Sequence, residues 1–220
     1  MITGVVMPAT LNSLPANKRM KVYVAGVCAL ALMALMAFDT KVLSLAELEG
    51  EVGFSPENFA QQSFPEIKEY IETNAVEANV LAPEALESAG ASGEKYGVPS
   101  GIGHVIPVTL TGVVVDEKSG IYTVNVADMS DEIVIRVQAG SAINGTTLRD
   151  TTGDIQFSDF TNQIEYQNAG AALNEEMKRQ ILSEMAGQDL TGKTLVIAGS
   201  FNMINPKNWL ITPVSIAITD

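Results

Sequence analysis

The chain has 220 residues, with 13 Lys and Arg against 26 Asp and Glu, for a net charge of −13. So acidic a surface repels polyanions, and no cationic run follows Lys21, which argues against nucleic-acid binding. The single cysteine, Cys28, excludes an intrachain disulfide, a cysteine-based metal centre and a redox pair.

Lys18, Arg19 and Lys21 precede an uncharged run over residues 22–38, and Asp39 is the first acid of the chain. A basic flank stays on the cytoplasmic side while the chain beyond it crosses the bilayer. The run is short for a spanning helix and long for the apolar core of a cleaved signal, so signal peptide and membrane anchor both fit. Either way the remainder faces the periplasm, free or anchored to the inner membrane. Lipidation at Cys28 fits poorly, because Val27 precedes it and an apolar stretch, 29–38, follows it. Residues 1–38 are thus read as signal or anchor, 39–103 as a helical segment and glycine-rich linker, and 104–220 as a β domain.

Ser55-Pro56-Glu57 combines a cap residue, a first-turn proline and an acid at the positive end of the helix dipole. A second helix start is read at Ser63-Phe64-Pro65-Glu66, with Ile67, Tyr70, Ile71, Ala75 and Ala78 following at helical spacing. A third short helix is expected from Pro83. Residues 87–103 hold Gly90, Gly93, Gly97, Gly101 and Gly103 and read as a linker or mobile loop.

From Val105 the period changes to two. Strands are expected over 105–115, 121–126 and 132–138, and a polar connection over 140–159. A helix over about 170–185 follows, with Leu173, Met177, Ile181 and Met185 as its apolar stripe. Gly187 should stop it, and two strands, 194–201 and 209–218, flank a turn at 202–208. Three strands, a helix and two strands is the element order of a five-stranded OB-like barrel with a helix between strands three and four. The fold class is therefore α+β: a membrane or signal helix, a helical segment, then the barrel.

The polar block Gly145-Thr146-Thr147-Leu148-Arg149-Asp150-Thr151-Thr152-Gly153, with Asp159-Phe160 and Asn162-Gln163-Ile164-Glu165-Tyr166, exceeds what a simple connection needs. With Asp39-Thr40-Lys41, Phe64-Pro65-Glu66-Ile67, Gly192-Lys193 and Trp209-Leu210-Ile211-Thr212-Pro213-Val214, it resembles the DUF2291 family over nearly the whole chain. That resemblance implies a predicted periplasmic lipoprotein of unknown function and a link to sugar ABC transporters. It transfers no catalytic residue.

Arg149, Asp150, Asn162, Gln163, Glu165 and Tyr166 form the candidate ligand-binding set. A guanidinium fork, carboxylate acceptors, two carboxamides and a stacking ring suit a small polar ligand. The competing reading has Arg149 pair with Asp150 or Glu165 and the carboxamides satisfy loop backbone. Asp150, Asp154 and Asp159 are a weaker candidate for acid/base work or a hard cation. His104 and Trp209 read as structural, and Gly-x-Ser-x-Gly, His-Glu-x-x-His and phosphate-loop signatures are missing. The composite expectation is a non-enzymatic envelope module without cofactor or metal. Its partner is a small polar ligand or an envelope or transporter protein, and the N-terminal segment contacts the membrane if uncleaved. An assembly role and an aspartate-dependent hydrolase are the alternatives.

Overall fold

The computed structural model describes residues 53–185 and 187–219, together with positions 20, 21, 23–27, 29, 30 and 33 of the leading segment. Those leading positions are helical and exposed. Cys28, the Asp39-Thr40-Lys41 triplet and most of the apolar run lie outside the described residues, and no helix among the described residues is long and apolar enough to cross a membrane. Residues 54–220 form a compact unit of their own.

Helix α1, Pro56–Asn74, starts where the sequence places it, with the Ser55 side chain accepting from Asn58 N. It does not restart at Ser63. Pro65 lies inside it, at a cost of about 3 kcal/mol for an interior proline. Phe64, Ile67 and Ile71, each at most 2 % exposed, offset that cost by burial on one face. After the two-residue strand β1, Val76–Glu77, helix α2 spans Ala78–Glu87 and carries Pro83 within it rather than at its start.

The expected glycine-rich linker is instead partly helical, with α3 at Ala89–Tyr96. Ser88 caps it by accepting from Ala91 N at 3.2 Å. Lys95 in its last turn, favourable at a helix C-terminus, meets Glu84 of α2 at 2.8 Å, and the Tyr96 hydroxyl donates to the same carboxylate. Glycine is needed at position 93 for packing: a Cβ there would stand 2.5 Å from His104 Nδ1. A close-packing requirement had the composition of a loop.

The strands are β2 (Val98–Pro99), β3 (His104–Lys118), β4 (Ile121–Val126), β5 (Val134–Gln138), β6 (Thr194–Asn202) and β7 (Asn208–Thr219). The sheet thus has seven strands rather than five, because the two-residue β1 and β2 add to β3. The five long strands pair in a ring: β3 with β4, β4 with β5, β5 with β7 in parallel, β7 with β6, and β6 back to β3. Alternation along β6 sends Leu195, Ile197 and Phe201 inward. They meet Ile106, Leu110, Ile135, Val137, Trp209 and Ile211 in one core.

Between β5 and β6 come α4 (Thr147–Asp150), a 3₁₀ turn at Phe157–Asp159 and α5 (Gln163–Met177), which continues as a wider π turn and then a 3₁₀ turn through Met185. Helix α5 begins seven residues before the expected 170. It is also not the element that joins the interior core. That role falls to α2 through Leu81, Ala82 and Ala85, whereas α5 packs Leu173 and Met177 with α1, Leu148 and Val214 in a second core.

Candidate functional site

Arg149 is 7 % exposed although its side chain is cationic, so its partners must compensate for lost hydration. Its Nε donates to Asp150 Oδ1 at 2.7 Å and its Nη1 donates to the Tyr166 carbonyl at 3.1 Å. The guanidinium also lies 3.6 Å from the centroid of the Tyr166 ring. Asp150 spends its other oxygen on two hydroxyls, accepting from Thr146 at 2.7 Å and from Ser100 at 3.1 Å. One ion pair therefore joins α4, α5 and the segment after β2.

The Tyr166 ring continues an aromatic chain. It packs edge-on against Phe157 at 5.6 Å and beside Phe160 at 5.3 Å, and Phe160 in turn meets Phe54 and Phe59 at the start of α1. Edge-to-face geometry suits the ring quadrupoles, and the chain ties the polar insert to the helical layer.

Asn162 is the N-cap of α5: its Oδ1 accepts from Ile164 N at 2.9 Å and Glu165 N at 3.0 Å. Glu165 turns back to accept from Thr161 N, one residue before the cap, at 2.8 Å. Gln163 is exposed at the first turn and forms no side-chain hydrogen bond with any described residue. Asn162→Ala should cost about 1 kcal/mol, the usual loss on removing such a cap. Asn162→Asp should recover most of it, and urea unfolding followed by circular dichroism measures both.

Of the six residues Asp150 lines a cavity. About 340 Å³ in volume, it opens between the 144–147 connection and the turn joining β6 to β7. Gln138, Thr147, Asn202, Asn205 and Asn208 contribute polar wall, and Ile204 and Leu210 apolar wall. Gln138, 2 % exposed, is fully engaged: its Nε2 donates to Asn144 O and Thr212 Oγ1, and its Oε1 accepts from Asn144 N. The three asparagines were not singled out from the sequence. Their spacing of three across the β6–β7 turn was the available signal, and it also suits a plain turn.

A larger cavity of about 860 Å³ adjoins the β3–β4 turn and residues 187–191. Two of its three acids are already held: Glu117 accepts from Gly120 N and Asp189 from Thr191 N, while Asp116 is the third. The Thr191 backbone N–H, then its hydroxyl, hold the Asp189 carboxyl below the usual range. Burial, and then the charges of Glu117 and Asp189, push the Tyr122 hydroxyl above the ordinary phenol value. Among the described residues no group of three His, Cys, Asp or Glu is placed to hold a metal ion.

A crystal structure described as an OB-fold protein from Thermotoga maritima MSB8 is similar to this chain, with a TM-score of 0.61 and 18 % identity. The match covers 76 % of this chain and 99 % of that one, and at such identity it speaks for the fold alone. No curated protein matches. The family model for predicted periplasmic lipoproteins, DUF2291, matches residues 27–217, from the residue before Cys28 to within two residues of the end of β7. The fold is thus mixed α+β with an OB-fold relative, its members are described as periplasmic, and the chain belongs to the DUF2291 family.

Proposed function

We propose that this protein is a non-enzymatic binding module of the bacterial envelope. In this reading an OB-like barrel of five long strands, tethered through the N-terminal segment, takes a small polar ligand and serves an envelope or transporter protein. The observation that carries the reading is the 340 Å³ cavity beside the Arg149–Asp150 pair. Its size falls at the lower end of the range for small-molecule sites. Arg149, Tyr166 and Asn162 are engaged with their neighbours, which supports a positioning role: they hold the 144–166 insert as one wall of the cavity. Asp159 accepts from Gln156 N, and this favours loop fixation over acid/base work by the aspartates.

The test is a thermal-shift screen of the full chain in detergent against sugars, nucleotides and divalent ions. A ligand at about a hundred times its Kd contributes roughly 2.7 kcal/mol, which for a unit of this size raises Tm by roughly 5–11 °C. A shift by divalent ions alone would favour the hydrolase. If no class moves Tm, the assembly role replaces the binding one.

A further inference from the structure

Of the three arginines among the described residues, Arg149 and Arg179 each hold a carboxylate, Asp150 and Glu176, whereas Arg136 holds none. In a chain with 26 Asp and Glu against 13 Lys and Arg, that is not for want of acids. Arg136 stands half-buried on the outer face of β5, in register with Thr123 of β4 and Leu210 of β7, neither of which can neutralise it. The first acid along that row, Asp116 of β3, lies two strands away, about 10 Å. A charge held partly out of water without a counter-ion is costly, and an occupant that supplies one lowers the cost.

The hydrogen bonds of Arg136 orient it. Asn208 Oδ1 accepts from Nε at 3.1 Å and from Nη2 at 2.8 Å, which occupies the side edge of the guanidinium. The end edge, Nη1 with the second N–H of Nη2, is left over. Two parallel donors in one plane are the fork that a carboxylate takes bidentately.

The 340 Å³ cavity adjoins this arginine: Asn208 and Leu210 on the neighbouring strand and Gln138 on its own strand all line it. Around the cavity the other charges cancel. Asp150 in the wall is paired with Arg149, and Lys207 in the adjoining turn is paired with Glu132 at 2.6 Å, so Arg136 is the surplus charge of this rim. Asn205 Oδ1 accepts from Lys207 N at 2.9 Å, and with Asn208 Oδ1 given to Arg136 both carboxamides have N–H groups left to offer. The rim is therefore rich in donors and positive by one.

We infer that the cavity and its rim bind a small organic acid with at least one further oxygen, its carboxylate on the end edge of Arg136 and the further oxygen on the Asn205 and Asn208 N–H groups. One guanidinium matches one negative charge, which favours a carboxylate over a dianionic phosphate. Ile204 and Leu210 receive the carbon skeleton. The inference rests on the binding reading above and adds the charge of the ligand and the residue that holds it.

Isothermal titration calorimetry of the full chain in an uncharged detergent tests this with pyruvate, lactate and gluconate. Lactamide and glucose are the neutral counterparts, and inorganic phosphate is the other oxyanion. At least one acid should saturate, and raising NaCl from about 50 to about 500 mM should weaken it several-fold, because the contact is charge-driven and half-exposed. The neutral counterparts should bind about tenfold or more weaker, the loss expected when a hydrogen bond to a charged group goes.

Arg136→Met should weaken the acid by a similar factor, and Arg136→Lys should recover only part of it, since an ammonium keeps the charge without the fork. Asn208→Asp is the sharper variant. It sets a carboxylate of the chain's own against Nε and Nη2, so the Tm of the unliganded protein should stay equal or rise while acid binding falls about tenfold. If Arg136→Met does not fold, Asn208→Asp decides alone. Acid binding untouched by these variants overturns the assignment, as does a neutral counterpart that binds as tightly as its acid, or saturation by phosphate alone. If a sugar or nucleotide from the thermal-shift screen binds and no acid does, the inference fails and the binding reading stands. If neither the screen nor the acids give a signal, both fail.

Discussion

Replacing Arg149 with alanine should lower Tm by roughly 6–20 °C. Arg149 and Asp150 expose 9 % and 12 % of their side chains, so deleting the cation strands a carboxylate in a nearly dry site. Breaking such a pair from one side costs about 3–5 kcal/mol, much of it the penalty on the charge left behind. The Tyr166 ring loses the cation over its face in the same step. Arg149→Lys should recover only part of this, because an ammonium cannot reach Asp150 and the Tyr166 carbonyl with one planar fork. Removing both charges, as Arg149→Met with Asp150→Asn, should cost less than Arg149→Ala alone. A loss under about 1 kcal/mol for Arg149→Ala would mean that solvent already screens the pair.

Trp209→Ala should cost about 3–5 kcal/mol. The indole is fully buried, stacks on Phe201 with centroids 4.7 Å apart, and fills the ring of strands at the start of β7. Truncation leaves a void between two strands, and the Pro206 carbonyl loses its donor. Trp209→Phe keeps most of the volume and should cost less than half as much. The urea midpoint by far-ultraviolet circular dichroism is the suitable measure, since fluorescence disappears with the residue.

How much of this was legible in the sequence follows from range. Strands β3, β4, β6 and β7 lie within about three residues of where period-two alternation puts them, because alternation is a local pattern. Pro65 misled because a start signal and a tolerated interior proline look alike until Phe64, Ile67 and Ile71 are known to face a core. Asn162 was readable as one of two alternatives, because the residue types that cap helices are also those that line binding loops. Gly93 is the third case, since only the position of His104 tells a packing glycine from a linker. The Arg149–Asp150 pair was readable as one of two alternatives. The further contact of Arg149, to the Tyr166 carbonyl, was out of reach because it depends on how α5 lies against α4. The asparagine wall stayed hidden because a turn explains the same residues.

The ring of strands closes between β3 and β6, where Val105 pairs with Asn202, across most of the unit's length. A chain delivered to the periplasm from its N-terminus presents β3 long before its partner arrives. During that interval a 15-residue strand, apolar along much of its length, has one edge without its eventual neighbour. Closure over so long a loop is slow, and an open edge recruits other chains. Growth temperature and the supply of periplasmic holdases should therefore set the yield of this protein more than its final stability does.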